Sequence, residues 1–218
     1  MNKQYRITIA ALLFLAAMNA HGQAGAPARG WYAGLDVGMS KVDRDPTFGA
    51  VVTASDDEST AFSLRAGYRF GRFFALEAGY TDVGDFSSSF DSVCPNPAFA
   101  PCPSYTSSTT FRGLQFNAIG IWPIAEHFQL KASAGAFYRQ MKATVDSTLY
   151  GHSSETENDS DFVFGAGIGI PVNDRLDISI DWTRYRMLGL GYTSSTGQAT
   201  TFNEGETSIA SLGVRWRF

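Results

Sequence analysis

The sequence predicts an all-β protein, an eight-stranded antiparallel up-and-down transmembrane β-barrel with short periplasmic turns and long extracellular loops. Three observations carry that expectation. Segments in which apolar and small or polar residues alternate recur about eight times, and a period of two places each set on one face of a strand. The less apolar face carries charges at strand centres, among them Asp36, Arg65, Glu77 and Asp181, while aromatic residues gather near the ends of the other face. A soluble sandwich hides its apolar face, whereas a barrel in lipid turns that face outward and lines its interior with polar groups. The connections, finally, alternate in length: long over 41–60, 84–108, 142–160 and 187–205, short at Gly71–Phe73, Pro123–His127 and Pro171–Arg175. Long outer loops and tight periplasmic turns produce that asymmetry in outer-membrane barrels.

The first strand is Trp31–Met39, with Trp31, Leu35, Val37 and Met39 opposed to Gly34, Asp36 and Gly38. In the second, Phe62, Leu64, Ala66, Tyr68 and Phe70 oppose Ser63, Arg65, Gly67 and Arg69. The third sets Phe74, Leu76, Ala78 and Tyr80 against Ala75, Glu77, Gly79 and Thr81. The fourth opposes Leu114, Phe116, Ala118 and Trp122 to Gly113, Gln115 and Asn117, with Ile119 and Ile121 breaking the pattern. The fifth carries Leu130, Ala132, Ala134, Ala136 and Tyr138 against Lys131, Ser133, Gly135 and Arg139. Phe162 to Ile170, with three glycines on the second face, make the sixth, and Leu176 to Thr183, with Asp177 and Asp181, the seventh. The eighth alternates Ala210, Leu212, Val214, Trp216 and Phe218 with Ser211, Gly213, Arg215 and Arg217.

Composition removes other classes. The 218 residues suffice for one domain, and the net charge of −4 argues against a nucleic-acid binder. The single long apolar run lies at the N-terminus, so helical membrane spans are not expected. Two cysteines are too few for a disulfide-stapled scaffold or a thiolate zinc site. Lys3 and Arg6 followed by the apolar stretch Ile7–Ala17 and small residues have the layout of a secretory leader, with cleavage expected after Gly22. The expected organisation is a leader over 1–22, a short N-terminal segment over 23–29, and the barrel over 30–218.

The segments Gly30–Gly38, Phe74–Asp82 and the terminal Val214-Arg215-Trp216-Arg217-Phe218 resemble the OmpA/OmpX-type small outer-membrane β-barrel family. The resemblance covers everything after the leader. It implies residence in the outer membrane of a Gram-negative bacterium, contact with outer-membrane lipid and lipopolysaccharide, and a monomer. It also implies that Leu212, Val214, Trp216 and Phe218 form the terminal signal read by the outer-membrane assembly machinery. The chain reaches Phe218 without the periplasmic peptidoglycan-binding domain of longer relatives, so wall anchoring is not expected.

Candidate sites divide by face. With Phe70 opposite Phe74, Glu77 falls opposite Gly67 and diagonal to Arg65. Asp177 and Asp181 are expected to meet Arg215 or Arg217, and with Asp36, Gln115, Asn117 and Lys131 they form an interior polar network, because unpaired charges in a narrow lumen are too costly. Lys41, Arg112, Lys142, Arg184 and Arg186 fall on the outward face near the long loops, at the height of lipopolysaccharide phosphates. Cys94 and Cys102, in one Pro-rich exported connection, are expected to form a disulfide.

No cofactor, metal site or enzymatic activity is expected. The glycines of 165–169 share one strand face and lack nucleotide-loop spacing. The acidic residues of the long connections, including Asp43, Asp45, Asp56, Asp57, Glu58, Glu155, Glu157, Asp159 and Asp161, lack the spacing of a calcium loop and are expected to be solvated. His21 leaves with the leader, His127 lies in a periplasmic turn, and His152 sits with Ser153, Ser154 and Glu155 at a loop tip. Three functions remain: a packed structural barrel contributing to envelope integrity and surface presentation; a narrow channel or uptake route, favoured by volume left beside inward glycines; and an adhesin using loop aromatics such as Phe86, Phe90, Tyr105, Tyr150 and Tyr192.

Overall fold

The computed structural model describes residues 29–43, 50–92, 104–125, 127–148, 151–186, 190–193, 199–202 and 206–218. The expected leader and both cysteines, Cys94 and Cys102, lie outside the described residues, as do Asp45 and Tyr150. Among the described residues the strands are β1 (Gly30–Asp43), β2 (Ala50–Asp56), β3 (Glu58–Arg69), β4 (Phe74–Ser92), β5 (Ser104–Ala125), β6 (Phe128–Ser147), β7 (Gly151–Pro171), β8 (Leu176–Arg186), β9 (Leu190–Thr193), β10 (Ala199–Phe202) and β11 (Glu206–Arg217).

Eight of these strands close a ring in the order β1, β3, β4, β5, β6, β7, β8, β11, every neighbour antiparallel, with β11 returning to β1. Closure leaves no unpaired edge within the wall, which is what a sheet surrounded by lipid requires. The outward face is an apolar band including Leu35, Val37, Leu64, Leu76, Phe116, Leu130, Ile168 and Ile180, all exposed. Trp31, Trp122, Trp216 and Phe218 are exposed toward the short-turn end, where Trp31 stacks edge-on against Tyr68 with centroids 5.1 Å apart.

The short connections are built locally. Phe70 N–H donates to the Phe74 carbonyl at 3.0 Å, which sets Gly67 opposite Glu77 and Arg69 opposite Ala75. Between β7 and β8 the Asn173 Oδ1 accepts the backbone N–H groups of Arg175 and Leu176, each at 2.8 Å. This side chain imitates a backbone turn, as Asn does well.

The long connections expected from sequence are in large part strand. β4, β5, β6 and β7 continue to Ser92, from Ser104, to Ser147 and from Gly151, and β2 pairs with the upper part of β4. Ser, Thr and acidic residues there read as loop, yet the hydrogen-bond ladder of the wall simply continues through them.

One irregularity changes which side chains face inward. The β4–β5 register shifts between Asp82 and Gly84, and Gly84 has φ of 105°. Val83 still points inward like Thr81, but beyond the extra residue parity reverses, so Phe86 and Ser88 point inward while Asp85 and Ser87 point out. Asp82 Oδ1 accepts the Gly84 N–H at 3.0 Å, and Ser59 Oγ accepts the Asp85 N–H at 3.1 Å. A Cβ at Gly84 would run into the Ser59 hydroxyl. Gly84→Val is therefore expected to lower the urea midpoint of the barrel folded in lipid vesicles, at a cost of about 1–3 kcal/mol. An unchanged midpoint would mean that the bulge tolerates an ordinary residue.

Candidate functional site

A cluster of six ionisable side chains from six strands fills the centre of the lumen: Asp36, Arg65, Glu77, Lys131, Asp181 and Arg215. Arg65 bridges two acids, with Nε 2.7 Å from Asp36 Oδ2 and Nη1 donating to Glu77 Oε1 at 3.1 Å. Arg215 faces the same pair from β11, with Nε 3.6 Å from Glu77 Oε2 and Nη2 donating to Asp181 Oδ2 at 3.1 Å. Its Nη1 also donates to Ser179 Oγ, which itself donates to Asp181 Oδ2 at 2.7 Å. Lys131 Nζ completes the cluster 3.1 Å from Asp181 Oδ1, and the Tyr32 hydroxyl donates to Glu77 Oε2 at 3.0 Å. Three bases balance three acids. Isolated, each would carry a desolvation penalty of several kcal/mol, so the cluster persists because its members satisfy one another.

Small residues on the wall make room for it. A Cβ at Gly34 or Gly79 would lie 3.0 Å from the Cγ of Arg215 or Arg65, and one at Gly67 would strike the Tyr32 ring. At Gly167 and Gly213 it would meet the carboxylates of Asp181 and Asp36. The volume the sequence left open beside inward glycines is thus occupied by long side chains from neighbouring strands.

Above the charges, Thr81 Oγ1 and the Tyr185 hydroxyl both donate to Gln115 Oε1, at 3.2 and 2.8 Å. Asn117 is buried in register between Glu77 and Gly135. Higher still lies an apolar layer around Val83, Phe86, Phe111, Phe137, Val163 and Tyr185, in which Val83 and Phe137 have no exposure at all. Phe137 stacks on Tyr185 at 4.9 Å and Phe86 on Phe111 at 5.9 Å. Toward the short-turn end a second apolar layer joins Tyr32, Ala75, Ile119 and Ile121. The charges thus sit between two apolar layers, which lower the local dielectric and strengthen each ion pair. A pocket of about 20 Å³ beside Lys131, Asp181 and Arg215 is large enough for a single water molecule.

Two further ion-paired arginines flank this stack. Arg217 grips Asp177 through Nε and Nη2 near the short-turn mouth, where Arg69 donates to the carbonyls of Gly71 and Arg72 and, at 3.4 Å, to Gln129 Oε1. At the opposite end Arg139 Nε lies 3.3 Å from Asp161 Oδ2, with its guanidinium 5.8 Å from the Phe111 ring centroid. Two sequence expectations are corrected here. Asp161 is buried and ion-paired rather than solvated, because its position on β7 points into the lumen. Phe86 is buried in the apolar layer rather than displayed by a loop, because the Gly84 bulge turns it inward.

The outward bases occupy the rim of the apolar band. Lys41, Arg112, Lys142 and Arg186 are exposed, and Arg184 is half-buried in an ion pair with Glu206. Arg112 donates through Nε and Nη2 to Gln140 Oε1, at 3.2 and 3.1 Å, and lies in register with Gln140, while Lys142 pairs with Thr110 one step higher. Lys41 stands opposite Glu58. Among the described histidines, His152 Nδ1 is 2.7 Å from Asp146 Oδ1, both side chains being 62% exposed on the β6–β7 hairpin.

A closed eight-stranded ring, apolar outside and ionised within, defines a transmembrane β-barrel. The chain belongs to the outer membrane protein beta-barrel domain family, whose model matches residues 10–218, and its place is the outer membrane of a Gram-negative bacterium. Among solved structures it is similar to the outer membrane protein OprG from Pseudomonas aeruginosa, with 11% identity, TM-score 0.50 and coverage of 91% of this chain and 99% of that one. It is similar as well to the outer membrane protease OmpT from Escherichia coli, with 9% identity, TM-score 0.51 and coverage of 89% and 100%. A third is Ail, the attachment invasion locus protein of Yersinia pestis, in complex with the heparin analogue sucrose octasulfate, with 15% identity, TM-score 0.49 and coverage of 87% and 99%. With OprG and OmpT, at these identities, the likeness is one of fold. No curated protein matches the chain.

Arg215→Met leaves Glu77 and Asp181 short of a counter-charge and is expected to cost about 3–5 kcal/mol, read from urea unfolding in lipid vesicles. Adding Asp181→Leu should restore part of that loss. Strictly additive losses in the double-mutant cycle would show that the two groups do not act as one cluster.

Proposed function

We propose that the protein is a structural, surface-presenting component of the outer membrane whose lumen is filled rather than conducting. The observation that carries this reading is the ionic cluster held between two apolar layers. An ion crossing the lumen would have to part the Phe137–Tyr185 contact, cross a cluster whose charges are already balanced, and part a second apolar layer. Eight strands leave an interior just wide enough for side chains, which supports the same reading. The barrel then serves as a rigid monomeric mount for its sheet extension, delivered by assembly machinery that reads Leu212, Val214, Trp216 and Phe218 on the outward face. The reading is non-enzymatic: His152 and Asp146 lie in open water, where a base gains nothing from desolvation.

The rim supports a partner as well. Arg112 and Lys142 lie diagonally across one strand pair, just above exposed Leu114 and Tyr138, with Lys41 and Arg186 elsewhere on the rim. Guanidinium and ammonium groups at that height suit the phosphates of lipopolysaccharide. Arg184, already engaged by Glu206, contributes less than its four companions.

Two measurements test these readings. In planar bilayers the purified barrel is expected to give no stable conductance steps, and Phe111→Ala/Phe137→Ala to introduce them; steady current through the unaltered protein would overturn the filled-lumen reading. Arg112→Gln/Lys142→Gln is expected to reduce lipopolysaccharide co-purifying with the barrel while the heat-modifiable folded band remains. Undiminished lipid in the folded double variant would sink the rim assignment.

A further inference from the structure

The outward face of β4 to β7 does not end at the basic rim. On β5 the even-numbered residues run from exposed Phe116 and Leu114 through Arg112 to Thr110, Ser108 and Thr106, without a register shift against β6 above Arg112. The β6–β7 register is likewise unbroken from Gln129 to Ser147. On β4 the bulge at Gly84 restores the match, so that Ser87 stands opposite Ser108. One row of hydroxyls therefore crosses four strands: Ser87, Ser108, Thr144 and Ser154 are successive register partners. The row beneath it joins Asp85, Thr110, Lys142 and Thr156, and Thr110 Oγ1 donates to Asp85 Oδ1 at 2.5 Å. At normal strand spacing each row is roughly 14 Å wide and the next lies roughly 7 Å away.

We propose that this face is a docking surface for the core saccharide of lipopolysaccharide. The inference rests on the rim reading and extends it outward. Three properties of the face select this occupant. The surface continues the lipid-facing band of the same strands, so what lies beside it is the outward continuation of the lipids that surround the band. Ascending one strand, side chains turn from apolar to cationic to hydroxyl-bearing, the order in which lipopolysaccharide presents acyl chains, phosphates and sugars. Hydroxyls on a fixed sheet both donate and accept, as sugar hydroxyls do, and Asp85 adds a carboxylate that accepts. The sheet holds the rows in place before any sugar arrives, which keeps the entropy lost on binding small.

The test compares three probes in nanodiscs of neutral phospholipid: lipid A alone, lipopolysaccharide truncated after its innermost sugars, and lipopolysaccharide with a complete core. Retention is read by native mass spectrometry of the full-length barrel. Ser108→Val/Thr144→Val is expected to lower retention of the complete-core probe about tenfold, consistent with losing two modest hydrogen bonds, and to leave lipid A unchanged. Ser108→Thr/Thr144→Ser, which keeps both hydroxyls, should restore retention. Arg112→Gln/Lys142→Gln should weaken all three probes. Equal retention of every probe by the folded valine variant overturns the saccharide surface while leaving the rim intact. Loss confined to the complete core, with the rim variant unaffected, upholds the surface and removes the rim reading. A second copy of the barrel on this face, detected as a dimer that the valine pair disrupts, would also overturn it.

Discussion

Everything in this molecule depends on the closure of its hydrogen-bond ladder. Lipid offers no partner to an unpaired N–H or carbonyl, so the wall must return on itself, and here β11 reaches β1 through twelve register pairs from Tyr32–Arg217 to Asp43–Glu206. Eight strands then fix a lumen too narrow for bulk water and too wide for an empty backbone tube. The interior must be filled by side chains, and a glycine in register on the neighbouring strand gives each long residue the room it needs. Gly34 with Arg215, Gly79 with Arg65 and Gly67 with Tyr32 are complementary halves of single packing units.

The wall was legible in the sequence because a period of two survives even when each strand is judged alone. Leu64, Arg65 and Ala66 announce their faces without help from the rest of the chain. The ionic cluster was legible in membership for the same reason, since parity separates Asp36, Arg65, Glu77, Asp181 and Arg215 from the apolar set. Its partition into layers was not. Ile119, Ile121 and Phe137 are apolar residues on the polar face, visible as breaks in alternation, but the Phe137–Tyr185 contact and the cluster of Tyr32 with Ile119 and Ile121 join residues remote in sequence. Tyr32 and Ser179, each bonded to a cluster acid, stood on the right face and carried no charge to mark them.

The extension above the membrane was the least legible part. Ser, Thr, Asp and Glu are poor strand formers in isolation, and a run such as Ser87-Ser88-Ser89 reads as loop. What keeps it extended is its neighbour: Ser87, Ser88 and Ser89 pair with Ser108, Ser107 and Thr106, and those residues continue strands already fixed by the wall. Gly84 adds a second difficulty, because one bulge exchanges the fates of Phe86 and Ser87. Pattern reading that carries parity across it assigns both residues to the wrong face.

The six charges of the central cluster come from six different strands, and this has a bearing on assembly. β1 brings Asp36 and β11 brings Arg215, the two strands that meet last in chain order. Until they join, Arg215 has only Asp181 of its neighbour β8, while Asp36 and Glu77 share the single guanidinium of Arg65. Joined with a slip of two residues, the faces would still be correct, but Arg215 would move roughly 7 Å from Asp36 and Glu77 across the seam. The neutrality of the finished cluster therefore acts as a proofreading check on the seam, favouring the register in which Asp36 and Glu77 meet Arg215.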